Sequence, residues 1–140
     1  MKINKYETNN INETLKLGES FAQGLEKGCV IVLSGDLGVG KTAFTKGIAL
    51  GLGIEDTITS PTFTLLKEYE GRLDLKHIDA YRLEGLDSDS LGLFDLIDDH
   101  SVVVLEWGEF LNDLNFKADY AIKIDFLGEN QRDIEIEDLR

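Results

Sequence analysis

The sequence is short of cysteine, proline and positive charge: it has one cysteine, one proline, and 14 basic side chains against 27 acidic ones. Cys29 has no partner for an internal disulfide. It sits inside the apolar run "CVIVLS", where it reads as a small hydrophobe with no catalytic role. With Pro61 as the only proline and no repeat or low-complexity tract, nothing marks a linker, so residues 1–140 are expected to form one domain. A domain of this size buries about two-thirds of its unfolded surface, and it leaves little room for a second lobe. The net charge of −13 repels polyanions. Phosphate-mediated binding depends on Lys and Arg density, so an autonomous grip on DNA or RNA is not expected. The acidic surface favours solubility and leaves room for a basic partner. No apolar run approaches the roughly 18 residues of a membrane span, and the opening "MKINKYETNNINETLK" lacks the pattern of a cleavable signal. These absences predict a soluble, cytoplasmic protein with no membrane partner.

What is present is "GDLGVGKT", residues 35–42. Gly35, four residues, Gly40, Lys41 and Thr42 have the spacing of a P-loop. Its glycines let consecutive backbone N–H groups face one anion, its lysine reaches the outer phosphates, and its hydroxyl completes a Mg²⁺ shell. The nucleotide-binding positions are then Asp36, Gly38, Val39, Gly40, Lys41, Thr42 and Ala43, with Thr42 also on the metal. The flanks agree with this reading. "CVIVLS" has the composition of a buried parallel strand. "TAFTKGIALGLG" places Phe44, Ile48, Ala49 and Leu52 on one helical face and stops at Gly51 and Gly53. A helix start adds its dipole and its first N–H groups to the anion site. A glycine-rich turn that binds nothing accounts for neither Lys41 nor Thr42.

Elsewhere "KINKYETN" is expected to be an edge strand. "INETLKLGESFAQGLEKG" reads as a helix with Ile11, Leu15, Leu17, Phe21 and Leu25 inward and its end at Gly28. Phe63, Leu65 and Tyr69, then Leu73, Leu75 and Ile78, alternate on either side of "EGR", as a hairpin would. A further helix is expected in "SDSLGLFDLID", a buried parallel strand in "SVVVLEWGE", and a closing hairpin around "GEN". The fold class is therefore α/β: a three-layer, P-loop NTPase-like sheet with parallel core strands and antiparallel edge hairpins.

A bound γ-phosphate usually needs a carboxylate at the end of a neighbouring strand, acting on Mg²⁺ directly or through water. Two acids are candidates. The unbroken apolar run before Glu106 fits a strand buried on both faces beside the P-loop strand. The alternating run before Asp79 fits a half-exposed edge. Glu106 is therefore the expected metal-side acid, and Asp79 a second acid near the metal or the attacking water. Thr62 and Thr64 in "SPTFT" follow Lys41 at a separation where P-loop proteins place a loop that senses the γ-phosphate. A plain turn at the start of a strand fits that spacing almost as well. Lys41, Thr62, Asp79 and Glu106 are the candidate catalytic residues. His77, Tyr81 and Trp107 read as half-buried strand residues, and His100 as a polar residue closing a helix.

The motifs "GDLGVGKT", "SPTFTL", "HIDAYRL" and "LEWGE" occur in one order within residues 10 to 110. Together they resemble the TsaE (YjeE) family of bacterial P-loop ATPases. The resemblance implies a role in forming N6-threonylcarbamoyladenosine beside the anticodon of tRNAs that read codons beginning with A. It implies an accessory role, in which the protein binds the complex of TsaD and TsaB and its ATP turnover, slow alone, supports their catalytic cycles. tRNA would be reached only through that complex. By matching position, Lys41 and Thr42 would hold phosphate and Mg²⁺, Glu106 would be the metal-side acid, Asp79 and Tyr81 would belong to the "HxDxY" segment, and Thr62 would sit in the switch loop. The chain lacks the N-x-K-D signature of GTPases and shows no adenine clamp, so ATP over GTP rests on this resemblance.

Two other readings share the P-loop. A small nucleotide or metabolite kinase needs an arginine-bearing lid, for which the central chain offers only Arg72 and Arg82. A scaffold that binds nucleotide without hydrolysing it would not need two acids ending strands beside the loop.

Overall fold

A computed structural model of the protein describes residues 2–35, 40–55, 66–79, 97–106 and 118–140. Along the chain these form β1 (Lys2–Thr8), α1 (Ile11–Gln23), β2 (Cys29–Gly35), α2 (Lys41–Gly51), β3 (Leu66–Tyr69), β4 (Asp74–Asp79), β5 (Ser101–Glu106), β6 (Tyr120–Phe126) and β7 (Arg132–Asp138). The strands build one seven-stranded sheet in the order β1-β7-β6-β2-β5-β4-β3. β6, β2, β5 and β4 run parallel. The hairpin partners β7 and β3, and the edge strand β1, are antiparallel additions. The parallel centre with antiparallel edges is the architecture read from the sequence.

The burial pattern follows from strand composition. All six residues of β5 are buried. Ile31, Leu33, Val102, Val104, Leu75 and Ile122 join the core that holds Phe44 and Ile48 of α2, its C-cap Leu52, and Ala22 of α1. Val30, Ile78, Val103 and Leu105 alternate with them in sequence and are also buried. Both faces of the central strands are therefore covered, which is why the strands read as continuous apolar runs.

α1 begins at an Asn10 cap whose Oδ1 accepts from the Glu13 N–H at 2.8 Å, while Glu13 Oε1 accepts from the Asn9 N–H at 2.9 Å. It ends at Gln23 with Gly24 as cap, four residues before the expected Gly28. The chain leaves the helix there because Leu25 turns into the core. Gly28 is needed elsewhere, bonded through its N–H to Asp99 O at 2.6 Å, where an added Cβ would lie 2.1 Å from Asp98 O. Leu17, Phe21 and Leu25 pack with the core as expected, but other positions of the inward face of α1 differ. Ile11 is 71% exposed, and Thr14, Gly18 and Ala22 are buried. The cause is backbone contact between the helices. A Cβ on Gly18 would sit 2.4 Å from Phe44 O, and one on Gly47 would sit 2.0 Å from Leu15 O.

The "EGR" turn joins β3 to β4 and the "GEN" turn joins β6 to β7, as expected. β4 is not an edge strand, because β3 pairs outside it and β5 inside it. Phe63 and Leu65 lie outside the described residues, as does most of the segment expected to be a helix in "SDSLGLFDLID". His100 occupies the turn before β5 and is exposed.

Candidate functional site

β2 and its parallel neighbours bring their C-terminal ends to one side of the sheet. Leu33 is level with Glu106, and Glu106 is level with Asp79, so Gly35, Glu106 and Asp79 close three adjacent strands. Chain connectivity explains why the site sits here. After β5 the chain crosses to the other side of β2 to form β6, and ligands of open parallel sheets bind outside the carboxyl ends of strands where the order switches in this way.

α2 starts at the same end. Its N-cap is Gly40, with φ 116° and ψ 14°, and among the described residues no side chain caps the helix. Only glycine adopts that conformation without strain. The Phe44 N–H bonds back to Gly40 O at 3.0 Å. Ahead of that bond the first turn, carrying Lys41, Thr42 and Ala43, has the form in which helix N–H groups receive an anion in place of a side-chain cap. Thr45 completes the turn by donating its hydroxyl to Lys41 O at 2.9 Å.

Glu106 is 8% exposed, deep for a carboxylate. It is held by His77, which is fully buried and whose Nε2 lies 2.8 Å from Glu106 Oε1. The contact suits an Nε2–H donating to the carboxylate oxygen. His77 is thus not the half-buried strand residue expected, but the partner of the site's buried acid. Its signal was in the sequence. It precedes Asp79 by two positions on a strand parallel to that of Glu106, a spacing that puts it within diagonal reach once the strands are known to pair.

The structure brings together Gly40, Lys41, Thr42 and Ala43 at the start of α2, and it sets Asp79 beside Glu106 by backbone register. Asp36, Gly38, Val39, Thr62, Thr64, Tyr81 and Trp107 lie outside the described residues. Among the described residues no group of three or more His, Cys, Asp or Glu side chains is arranged to enclose a metal. A hydroxyl and a carboxylate are hard oxygen donors, a set that suits Mg²⁺ when phosphate oxygens and water supply the remaining ligands.

Arg72 is accounted for elsewhere. Its guanidinium donates to Leu25 O at 2.6 Å, to Ala22 O at 2.9 Å and to Gly51 O at 3.0 Å. It thus binds the C-terminal carbonyls of both helices, at the opposite end of α2 from Lys41. No helix among the described residues is long and apolar enough to cross a membrane.

Comparison with known proteins identifies related chains and a similar fold. The family profile described as threonylcarbamoyl adenosine biosynthesis protein TsaE matches residues 8–134. The tRNA threonylcarbamoyladenosine biosynthesis protein TsaE of Treponema pallidum is 43% identical, over 89% of this chain and 93% of its own. The protein of the same name from Bacillus subtilis is 41% identical, over 96% of this chain and 85% of its own. The crystal structure of Bacillus subtilis YdiB superposes with a TM-score of 0.81 at 34% identity, covering 99% of this chain and 87% of that one.

Proposed function

The chain belongs to the TsaE family, and from that premise we propose that it is a single-domain, cytoplasmic, Mg²⁺-dependent ATPase that binds a TsaD–TsaB complex. In this reading it supports formation of N6-threonylcarbamoyladenosine in tRNAs that read codons beginning with A, with tRNA reached only through the complex. The observation that carries the reading is the juxtaposition of a glycine-led helix start at Gly40 with a buried carboxylate, Glu106, at the end of the adjacent parallel strand.

Lys41 would bind the outer phosphates, Thr42 and Glu106 would hold the metal, and Asp36, Gly38, Val39, Gly40 and Ala43 are the other proposed nucleotide-binding positions. When bound, Mg²⁺ neutralises charge on the β- and γ-phosphates. Asp79 orients the attacking water. Thr62 senses the γ-phosphate, and so couples the nucleotide state to the partner surface.

The kinase reading is disfavoured because Arg72, one of its two candidate lid arginines, is engaged by three helix-end carbonyls. The test is co-purification with TsaD and TsaB with and without nucleotide, together with phosphate release measured without any small-molecule acceptor. Nucleotide-dependent association with phosphate release is expected. No association in any nucleotide state would overturn the partner assignment, and phosphoryl transfer to an acceptor would restore the kinase.

A further inference from the structure

His77 stands out in the layer of the sheet that faces the helices. That layer also holds Ile31, Leu33, Leu75, Val102 and Val104, with Glu106 two residues beyond Val104 on the same face, and His77 is 0% exposed there. It sits on β4 level with Val104 of β5, the strand that lies between β4 and the P-loop strand, and reaches Glu106 two residues further on. Its other ring nitrogen, Nδ1, is buried and has no hydrogen-bond partner among the described residues. A buried polar atom left without a partner is destabilising, and a valine or isoleucine would fill this layer without that cost. Packing therefore does not account for an imidazole here, whereas the bond to Glu106 does. Within the pair only the acid is open: the His77 side chain has no accessible surface, and that of Glu106 keeps 10%.

We propose that His77 is a positioning residue for Glu106, its Nε2–H fixing one carboxylate oxygen from behind so that the acid is held in place to serve a divalent cation at the nucleotide site. The proposal rests on the reading of Glu106 as the metal-side acid. A carboxylate on a flexible Glu side chain must otherwise be ordered each time a cation binds. A rigid donor supplied from the adjacent strand removes that cost in advance, as partners behind the ligands of metal sites do.

Amide substitutions separate positioning from packing. A glutamine can place its amide N–H where Nε2 stands, whereas the amide of asparagine is too short to reach it. Mn²⁺ is titrated by electron paramagnetic resonance into the protein bound to a non-hydrolysable ATP analogue, in wild type and in His77→Gln, His77→Asn, His77→Leu and Glu106→Gln. Mn²⁺ affinity within about threefold of wild type in His77→Gln and a loss of at least about tenfold in His77→Asn and His77→Leu are expected, with metal-free nucleotide affinity unchanged.

Wild-type Mn²⁺ affinity in folded His77→Asn, alongside a loss in Glu106→Gln, would overturn the positioning role and leave the site reading standing. Wild-type affinity in Glu106→Gln would remove the site reading and the positioning role with it. Should His77→Leu fail to fold, the Gln and Asn pair decides. An independent readout needs no metal. The chain has two histidines, so nitrogen NMR of the imidazoles resolves His77 from His100. An Nε2–H tautomer with a slowly exchanging proton, lost in Glu106→Ala, is expected, and an Nδ1–H tautomer would overturn the proposal.

Discussion

Asp79 and Glu106 are partners across the β4 and β5 ladder, each the last residue of its strand, beside the strand that leads into the start of α2. Two acids at one sheet end can serve a metal and an attacking water without building the anion site itself. Glu106→Gln and Asp79→Asn should therefore each lower ATP turnover by roughly 100-fold or more, with nucleotide affinity near that of wild type. Phosphate release measured with the partner proteins present checks this. Unchanged rates would make both acids structural bystanders.

Lys41 opens α2 behind Gly40, and in the proposed function it contributes charge to a ligand more than packing to the core. Lys41→Ala should weaken ATP binding by at least about tenfold, or ~1.4 kcal/mol, while folding stability moves by no more than about 0.5 kcal/mol. Calorimetric titration and thermal unfolding read the two effects separately.

Gly47 tests the contact between the helices. Alanine is a better helix former than glycine by about 1 kcal/mol, so a helix considered alone would gain from Gly47→Ala. The added Cβ would fall 2.0 Å from Leu15 O and 2.9 Å from Glu19 N, both backbone atoms that cannot rotate away. Overpacking against fixed backbone should win, for a net loss of roughly 2–3 kcal/mol in urea unfolding.

Arg72 joins the C-terminal ends of α1 and α2 through three carbonyl acceptors. Arg72→Ala should cost about 2–3 kcal/mol without changing metal-free nucleotide affinity. Arg72→Lys should recover only part of it, because an ammonium cannot reproduce the planar fork. A loss of ATP binding with stability intact would instead place Arg72 in the nucleotide site.

Burial, reinforced by the charge of Asp119, pushes the Cys29 thiol up to about 12. In the unfolded chain the thiol ionises near its ordinary value of 9.0. Between these values the unfolded state releases a proton that the native state keeps, so stability is full below about 9 and falls as pH rises toward about 12. Native protein at pH 8 should react slowly with iodoacetamide and quickly once unfolded. Cys29→Ala should flatten the alkaline loss of stability measured by denaturant titration.

Much of the fold was legible because local signals and burial agree. The apolar runs ending at Ser34 and Glu106 could only be strands covered on both faces, and the glycine-lysine-threonine run between a strand and a helix left one role for Lys41. Features that depend on a partner in space were misread. Ile11 kept helical spacing but faces outward, because Gly18 and Gly47 bring the two helix backbones together and take the inner face for small residues. β4 alternates like an edge strand, yet it is covered on one side by β3 and on the other by β5.

The chemistry divides along the same line. Sequence alone pointed to an anion site at residues 35–42, because a P-loop is contiguous and its glycines, lysine and hydroxyl are read from one local run. It also determined which two acids end strands. Only the tertiary structure decided that β4 and β5 lie side by side in parallel, which makes Asp79 and Glu106 neighbours and puts the buried imidazole of His77 2.8 Å from the Glu106 carboxylate. Residues 77 and 106 are distant in the chain. Their meeting depends on a strand register set by packing across the whole sheet, and no local pattern encodes that.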